Sequence, residues 1–319
     1  MAEVKLVEMT IEEFVRRRGP MIQQRAERLA EFGGASLPDA LAQAEREMVK
    51  FLPEGPRTPG KLWRTAWADG EEIGCIWASV LDLVVSPTTW AWVDWIVVDE
   101  QYRRCGYGQA ILEAMEAELA GLGVSRLGVN VFSSNDVVRR LYEQLGFEVS
   151  KQQRGRSLDG IPGTLDSPVT LVPITSAVFR RRMESYVLAI MSDYGLPAHW
   201  AHKRAWRPLE HGLDTEGVFV RAVFADDAEV GWVCYALRHP IGSGTGWLYR
   251  LDIDPAFRSR GYGTATIALV EAELGARGVR LNGTSVPGRN AGAQRLADRL
   301  GYTLTAQQMD KHLPVVRRQ

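Results

Sequence analysis

One stretch of this sequence is written twice, 155 residues apart. Arg103-Arg104-Cys105-Gly106-Tyr107-Gly108 recurs as Arg258-Ser259-Arg260-Gly261-Tyr262-Gly263. The offset then holds without a gap through Asn135 and Asn290, Leu145-Gly146-Phe147 and Leu300-Gly301-Tyr302, and Gln152-Gln153 and Gln307-Gln308. A self-match over about fifty residues describes one folding unit duplicated, so any fold for the first half must serve the second. A chain of 319 residues suits two such units, each with its own core. Gly155, Gly160, Pro162 and Gly163 mark the stretch from Arg154 to Ser167 as connection. The units are then 1–156 and 169–319, with a linker at 157–168.

The same order of elements is legible in both units. Lys5 to Met9 reads as a strand. Thr10 and Glu13 form a capping-box pair at the head of a helix that Gly33-Gly34 stops. A second helix runs from Ser36 to Phe51. Leu62 to Ala68 and Ile73 to Val85 read as a hairpin around Asp69-Gly70. Trp90 to Val98 is a strand rich in β-branched and aromatic residues. Beyond the glycine motif come a helix at Gln109 to Leu122, a strand at Arg126 to Phe132, a helix at Asp136 to Leu145 and a strand at Phe147 to Gln153. In the second unit the elements are Val169 to Ile174, Ala177 to Asp193, Trp200 to Glu210, Val218 to Leu237, Trp247 to Ile253, Ala265 to Ala276, Arg280 to Ser285, Ala291 to Leu300 and Tyr302 to Lys311. Strands and helices alternate, so the expected class is α/β with a mixed sheet in each unit.

Composition narrows the function classes. The formal net charge is −1, which gives no case for a nucleic-acid backbone as partner. The three cysteines, Cys75, Cys105 and Cys234, have no CxxC spacing; this argues against a zinc site and a disulfide framework and fits a reducing cytoplasm. There is no signal-peptide core at the N-terminus and no apolar run long enough for a membrane span. His199, His202 and His211 do not complete a metal-ligand set, so no metal is expected. Oligomeric state stays open.

The glycine motif carries the first chemistry. It lies between a strand and a helix, where glycines let successive backbone N–H groups turn inward. Such N–H groups and a helix N-terminus together suit a pyrophosphate. One R-x-x-G-x-G is a weak signal, whereas two at a fixed offset, each between strand and helix, are not chance. No P-loop, three-glycine dinucleotide fingerprint or kinase signature set is present.

Strand, R-x-x-G-x-G, helix, strand, then N-x-x-x-x-x-L-Y-x-x-L-G-F resembles the GNAT superfamily of N-acetyltransferases, and both units carry the resemblance. It implies two tandem domains, each a splayed mixed sheet flanked by helices, with coenzyme A lying in the splay. It implies acetyl-CoA as acyl donor and a small-molecule amine as acceptor. In the first unit, Arg103, Arg104, Cys105, Gly106, Tyr107, Gly108 and Gln109 would bind the pyrophosphate, Ile96 and Val98 would pair with the pantetheine arm, and Asn135 would contact the cofactor. The matching second set is Leu251, Ile253, Arg258, Ser259, Arg260, Gly261, Tyr262, Gly263, Thr264 and Asn290. The resemblance also implies an oxyanion donor at the Val98 N–H.

Two residues are candidates for proton transfer. Tyr142 matches the family's tyrosine, which would serve the leaving thiolate. Its spacing with Val138, Leu141 and Leu145 allows a plain core role as well. Asp94 stands among Trp92, Val93, Trp95 and Ile96, either facing a wet cleft as a general base or facing bulk solvent. At the matching positions the second unit has Ala297 and Tyr249. The reading that follows puts catalysis in the first unit and leaves the second degenerate. One alternative places the chemistry in the second unit, as in mycothiol synthase, a tandem member of the family; another is a non-catalytic acyl-CoA sensor. The tryptophans Trp90, Trp92, Trp95, Trp200, Trp206, Trp232 and Trp247 read as packing or as acceptor-pocket walls. Cys105 reads as a tolerated small residue.

Overall fold

The computed structural model describes residues 3–33, 36–81, 89–163, 165–194, 198–238 and 245–314. The expected helix stop at Gly34, the end of the hairpin strand at 82–85 and the side chain of Trp200 lie outside the described residues. In the first unit β1 (Lys5–Glu8) leads into α1 (Ile11–Gly33) and α2 (Leu37–Phe51). The hairpin β2 (Lys61–Ala68) and β3 (Glu71–Leu81) follows, then β4 (Thr89–Val98), α3 (Tyr107–Gly121), β5 (Val124–Phe132), α4 (Asp136–Gln144) and β6 (Glu148–Ser157). The second unit repeats the series as β7 (Thr170–Pro173), α5 (Ser176–Tyr194), α6 (Ala198–Trp206), β8 (Val218–Ala225), β9 (Ala228–Ala236), β10 (Thr245–Ile253), α7 (Tyr262–Ala276), β11 (Leu281–Pro287), α8 (Ala291–Arg299) and β12 (Thr303–His312).

Local chemistry sets the element ends. The capping box forms: the Thr10 N–H donates to Glu13 Oε2 at 2.7 Å and the Glu13 N–H to Thr10 Oγ1 at 3.2 Å. Ser36 caps α2 by accepting from the Asp39 N–H. α3 and α7 start inside the glycine motif, at Tyr107 and Tyr262, because Gly106 and Gly261 take the left-handed conformation and the chain coils directly after them. β6 runs on to Ser157, so Arg154 to Ser157 are strand and not connection.

The described strands join into one mixed sheet in the order β1-β2-β3-β4-β5-β12-β6-β11-β10-β9-β8-β7. β6 and β12 are copies of each other at the 155-residue offset, and they have changed places. β12 lies antiparallel to β5, pairing Ala306 with Phe132 and His312 with Arg126. β6 lies antiparallel to β11, pairing Ser157 with Leu281 and Lys151 with Pro287. The two exchanged strands pair with each other at the centre of the sheet.

Helices cover both faces. Ile111, Leu112, Met115 and Leu119 of α3 bury one face against Ile76, Val93, Leu127 and Val129, each such side chain contributing about 1.5–3 kcal/mol. On the opposite face Phe14 and Met21 of α1 pack on Trp63, Cys75 and Trp77, with Trp95 and Val97 at the margin. The second unit repeats this with α7 on one face and α5 and α6 on the other. Each exchanged strand also brings a cation to a carboxylate of the other unit's helix: Lys311 to Glu116 at 2.6 Å and Arg156 to Glu271 at 2.6 Å.

Candidate active site

The site begins with a bulge. β3 pairs Trp77 with Trp95 but Ala78 with Val93, so Asp94 is the extra residue of β4. Ala91 and Val93 before it, and Ile96 and Val98 after it, pack on the α3 face. The bulge therefore turns two consecutive residues, Asp94 and Trp95, toward α1. It also ends the parallel pairing of β4 with β5, which stops at Val93 and Val129. Beyond that point the strands part. The Asp99 N–H bonds back to Ile73 of β3 at 2.9 Å, so by strand alternation the N–H of Val98 points into the splay. Ile96 has the same orientation, so both residues present backbone groups that β5 no longer takes.

Asp94 accepts a hydrogen bond from Ser79 Oγ, which in turn accepts from Lys61 Nζ at 2.6 Å. Asp94 is exposed as a residue, yet the protein packed around its carboxyl desolvates it. Burial pushes its pKa up to about 6, against the opposing pull of the Ser79 hydrogen bond and the Lys61 charge. An open cleft of about 530 Å³ lies between α1 and the end of β4, lined by Arg17, Met21, Cys75, Trp95, Asp99 and Tyr102. It reaches β4 at Trp95, beside Asp94.

The glycine loop lies on the other side of the splay. Arg103 Nε donates to the carbonyl of Val98 at 3.1 Å, and Arg258 Nε does the same to Ile253 at 2.8 Å. These arginines thus pin the loop to the end of the strand before it. Arg104 and Ser259 have φ near +61° and +62°, and Gly106 and Gly261 near +84° and +83°. Among the described residues, nothing accepts from the N–H groups of Arg104, Cys105 and Gly106, nor from those of Ser259, Arg260 and Gly261. A Cβ on Gly106 or Gly261 would meet no atom within 4 Å, so the space above each loop is open. Gly108 and Gly263 sit where helix meets strand, facing Val98 and Leu251 respectively. Free N–H donors, a helix N-terminus and an open concavity fit a pyrophosphate in both units. Tyr107, Gln109, Tyr262 and Thr264 open the first turns above these loops. Cys105 is exposed, its Sγ 3.5 Å from the Arg103 carbonyl. Asn135 and Asn290 are helix caps, accepting from Val138 and Ala293.

Tyr142 is 4 % exposed, its ring 5.3 Å from that of Phe147. Burial pushes its hydroxyl up to about 12, so it stays protonated at neutral pH. Tyr142, on α4, is buried in the core on the α3 face of the sheet, while Asp94 lies on the α1 face, so the two stand on opposite faces of the sheet. In the second unit the bulge recurs, with Tyr249 as the extra residue. A small cavity of about 60 Å³ lies beside it, lined by Tyr186, Trp232, Cys234, Tyr249 and Arg250. The Arg250 guanidinium lies 4.2 Å over the Tyr186 ring. Ala297 takes the place of Tyr142 and is buried.

Sequence reasoning passed over the partners of Asp94 and one further constellation. Arg17 binds both Glu72 and Asp99, tying α1 to the strand that leads into the glycine loop. Arg182, Glu229 and Asp254 repeat the arrangement in the second unit. Each member has its copy at the offset of its own element, and those offsets differ, so the constellation does not recur at one fixed spacing.

Comparison with known proteins agrees with this geometry. The pattern of the acetyltransferase (GNAT) family matches residues 27–147 and again 183–302. YycN of Bacillus subtilis (strain 168), described as an uncharacterized N-acetyltransferase, is 30% identical over 117 residues, 36% of this chain and 74% of its own. A GCN5-related N-acetyltransferase from Sphaerobacter thermophilus superposes with a TM-score of 0.61 at 19% identity, over 98% of this chain and 97% of its own. A tandem GNAT protein from the clavulanic acid biosynthesis pathway gives a TM-score of 0.51 at 16% identity, over 98% of this chain and 99% of its own. With one repeated sequence pattern, one repeated fold and one repeated glycine loop, the chain belongs to the acetyltransferase (GNAT) family as a tandem acyltransferase carrying the family's fold twice.

Proposed function

We propose that the first unit transfers the acetyl group of acetyl-CoA to a small-molecule amine, while the second unit holds coenzyme A without turning over. The observation that carries this reading is the unequal content of two equivalent bulges. Asp94 is exposed beside Trp95, which lines an open cleft, whereas Tyr249 is itself part of the wall of a small cavity in the second unit.

Arg103 to Gln109 would hold the pyrophosphate, Ile96 and Val98 the pantetheine arm, and acetyl-CoA, when bound, supplies the activated acyl group. Leu251, Ile253 and Arg258 to Thr264 would do the holding in the second unit. An alkylammonium near pKa 10 is almost wholly protonated at neutral pH, so attack needs a base. Asp94, at about 6, is ionised at neutral pH and is a stronger base than an ordinary aspartate. The Val98 N–H donates toward the oxygen on which charge develops. Tyr142, at about 12, is a weaker acid than a thiol of ordinary pKa near 8.5 and so serves the leaving sulfur as a hydrogen-bond donor. Among the described residues no helix is long and apolar enough to cross a membrane, and no His, Cys, Asp and Glu cluster could hold a metal. Cys75, Cys105 and Cys234 are free thiols, which together with use of acetyl-CoA suits the cytoplasm.

Thiol release from acetyl-CoA across a panel of amines tests the reading. At least one acceptor should give turnover that Asp94→Asn suppresses. Coenzyme A binding with no thiol release from any amine would make the chain a binding protein instead.

A further inference from the structure

The α1 side of the first unit contains a cation, Arg28, that forms no ion pair among the described residues. Arg28 of α1 is half-buried, with its guanidinium carbon 4.2 Å over the ring of Phe132. Its inward neighbours on α1 are paired: Arg17 with Glu72 and Asp99, and Arg25 with Glu47 at 2.9 Å. Among the described residues no carboxylate comes within ion-pair distance of Arg28. Burial pulls its pKa down and the nearby charge of Arg25 adds to this, against the partly opposing charge of Glu31.

Its position gives the charge a use. Leu127, Val129 and Val131 of β5 are buried on the α3 face. Alternation then places Asn130 and Phe132 on the α1 face, past the point where β5 leaves β4. Arg17 ties α1 to Asp99, just beyond the end of β4, and Arg28 lies eleven residues further along the same helix, about 16 Å. α1 therefore bridges the mouth of the splay from one strand to the other, with Arg28 at the β5 side and Asp94 at the β4 side. The arrangement is confined to the first unit. By the 165-residue offset of α1 to α5, the counterpart of Arg28 is Asp193, and the counterpart of Phe132 is Pro287. The Arg17 constellation, which pins the helix, is repeated; Arg28 is not.

We propose that Arg28 is a specificity residue that binds an anionic group, carboxylate or phosphate, carried by the acceptor amine. The proposal rests on the first unit being the acetyl-transfer site and names the class of its substrate: an amine that bears its own negative charge. The cofactor's phosphates do not account for Arg28, because the glycine loop that fits them heads α3, on the opposite face of the sheet.

Matched acceptor pairs test this. Thiol release is measured with alanine against alaninamide and with O-phosphoethanolamine against ethanolamine, in wild type, Arg28→Gln and Arg28→Lys. Binding of the same compounds is followed by calorimetry in the presence of coenzyme A. In wild type, kcat/KM should favour one charged member by at least tenfold, mostly through KM, and the preferred pair separates carboxylate from phosphate. Arg28→Gln should bring that ratio toward one and Arg28→Lys should restore part of it. Equal use of charged and neutral members by wild type overturns the proposal and leaves acetyl transfer standing; so does a ratio that survives in Arg28→Gln. If no amine releases thiol but a charged compound binds wild type and not Arg28→Gln, the anion site stands and the transferase reading falls. Neither turnover nor binding of the charged compounds overturns both.

Discussion

At the scale of single residues, two side chains carry the proposed proton chemistry, and the surroundings of each give a separate test. Asp94 works only when ionised, and burial has raised its pKa to about 6. Activity should therefore be full above that value and fall as the pH drops through it, because protonation removes the base. Asp94→Asn should abolish this acidic limb in a kcat/KM profile; a limb unchanged in the variant assigns proton removal to another group. Tyr142 donates to the leaving sulfur, so Tyr142→Phe should lower kcat by about 10- to 1000-fold with coenzyme A affinity nearly constant. A variant as active as wild type on its best acceptor would leave Tyr142 as core alone, a role its contact with Phe147 already explains.

At the scale of elements, the glycine loops and the bulges recur in both units, and only what fills them differs. A bulky residue at Gly106 would strain a backbone at φ near +84° and put a side chain into the open space over the loop. Activity should then be lost. The same change at Gly261, where φ is near +83°, should empty the second loop while most turnover remains. Calorimetry should show up to two coenzyme A per chain in wild type and one fewer after either change. A folded Gly261 variant without activity, beside an active Gly106 variant, would move catalysis to the second unit.

At the scale of the whole molecule, the exchange of β6 and β12 binds the two units into one sheet. A chain ending at Leu300 loses β12, which pairs with β5 of the first unit. We expect this truncation at the far end to unfold the first unit, seen as loss of its coenzyme A binding and of cooperative melting. Retention of a folded, active first unit would show that the exchanged strand is dispensable. Arg156→Met strands Glu271, which is 1 % exposed and also accepts from the Tyr302 hydroxyl at 2.7 Å. The cost should be about 3 kcal/mol in urea denaturation. A change below about 0.5 kcal/mol would show that Glu271 becomes protonated and needs no partner.

Local signals in the sequence determined the unit, its duplication and its element order. Glycines at φ near +84°, capping pairs such as Thr10 with Glu13, and the alternation of β4 act over a few residues and leave their mark at fixed spacing. The same local character made the glycine loops and the loss of Tyr142 in the second copy legible. The strand exchange was not legible, because β6 and β12 are near-copies and either can complete either sheet; only the closing of the whole sheet decides between them. Nor did spacing tell which face Asp94 takes, since a bulge inserts one residue and reverses the alternation on which that inference depends. Arg28 is the clearest case. Its setting, with no ion pair among the described residues and the ring of Phe132 from a distant strand beneath it, depends on which surfaces α1 meets after folding.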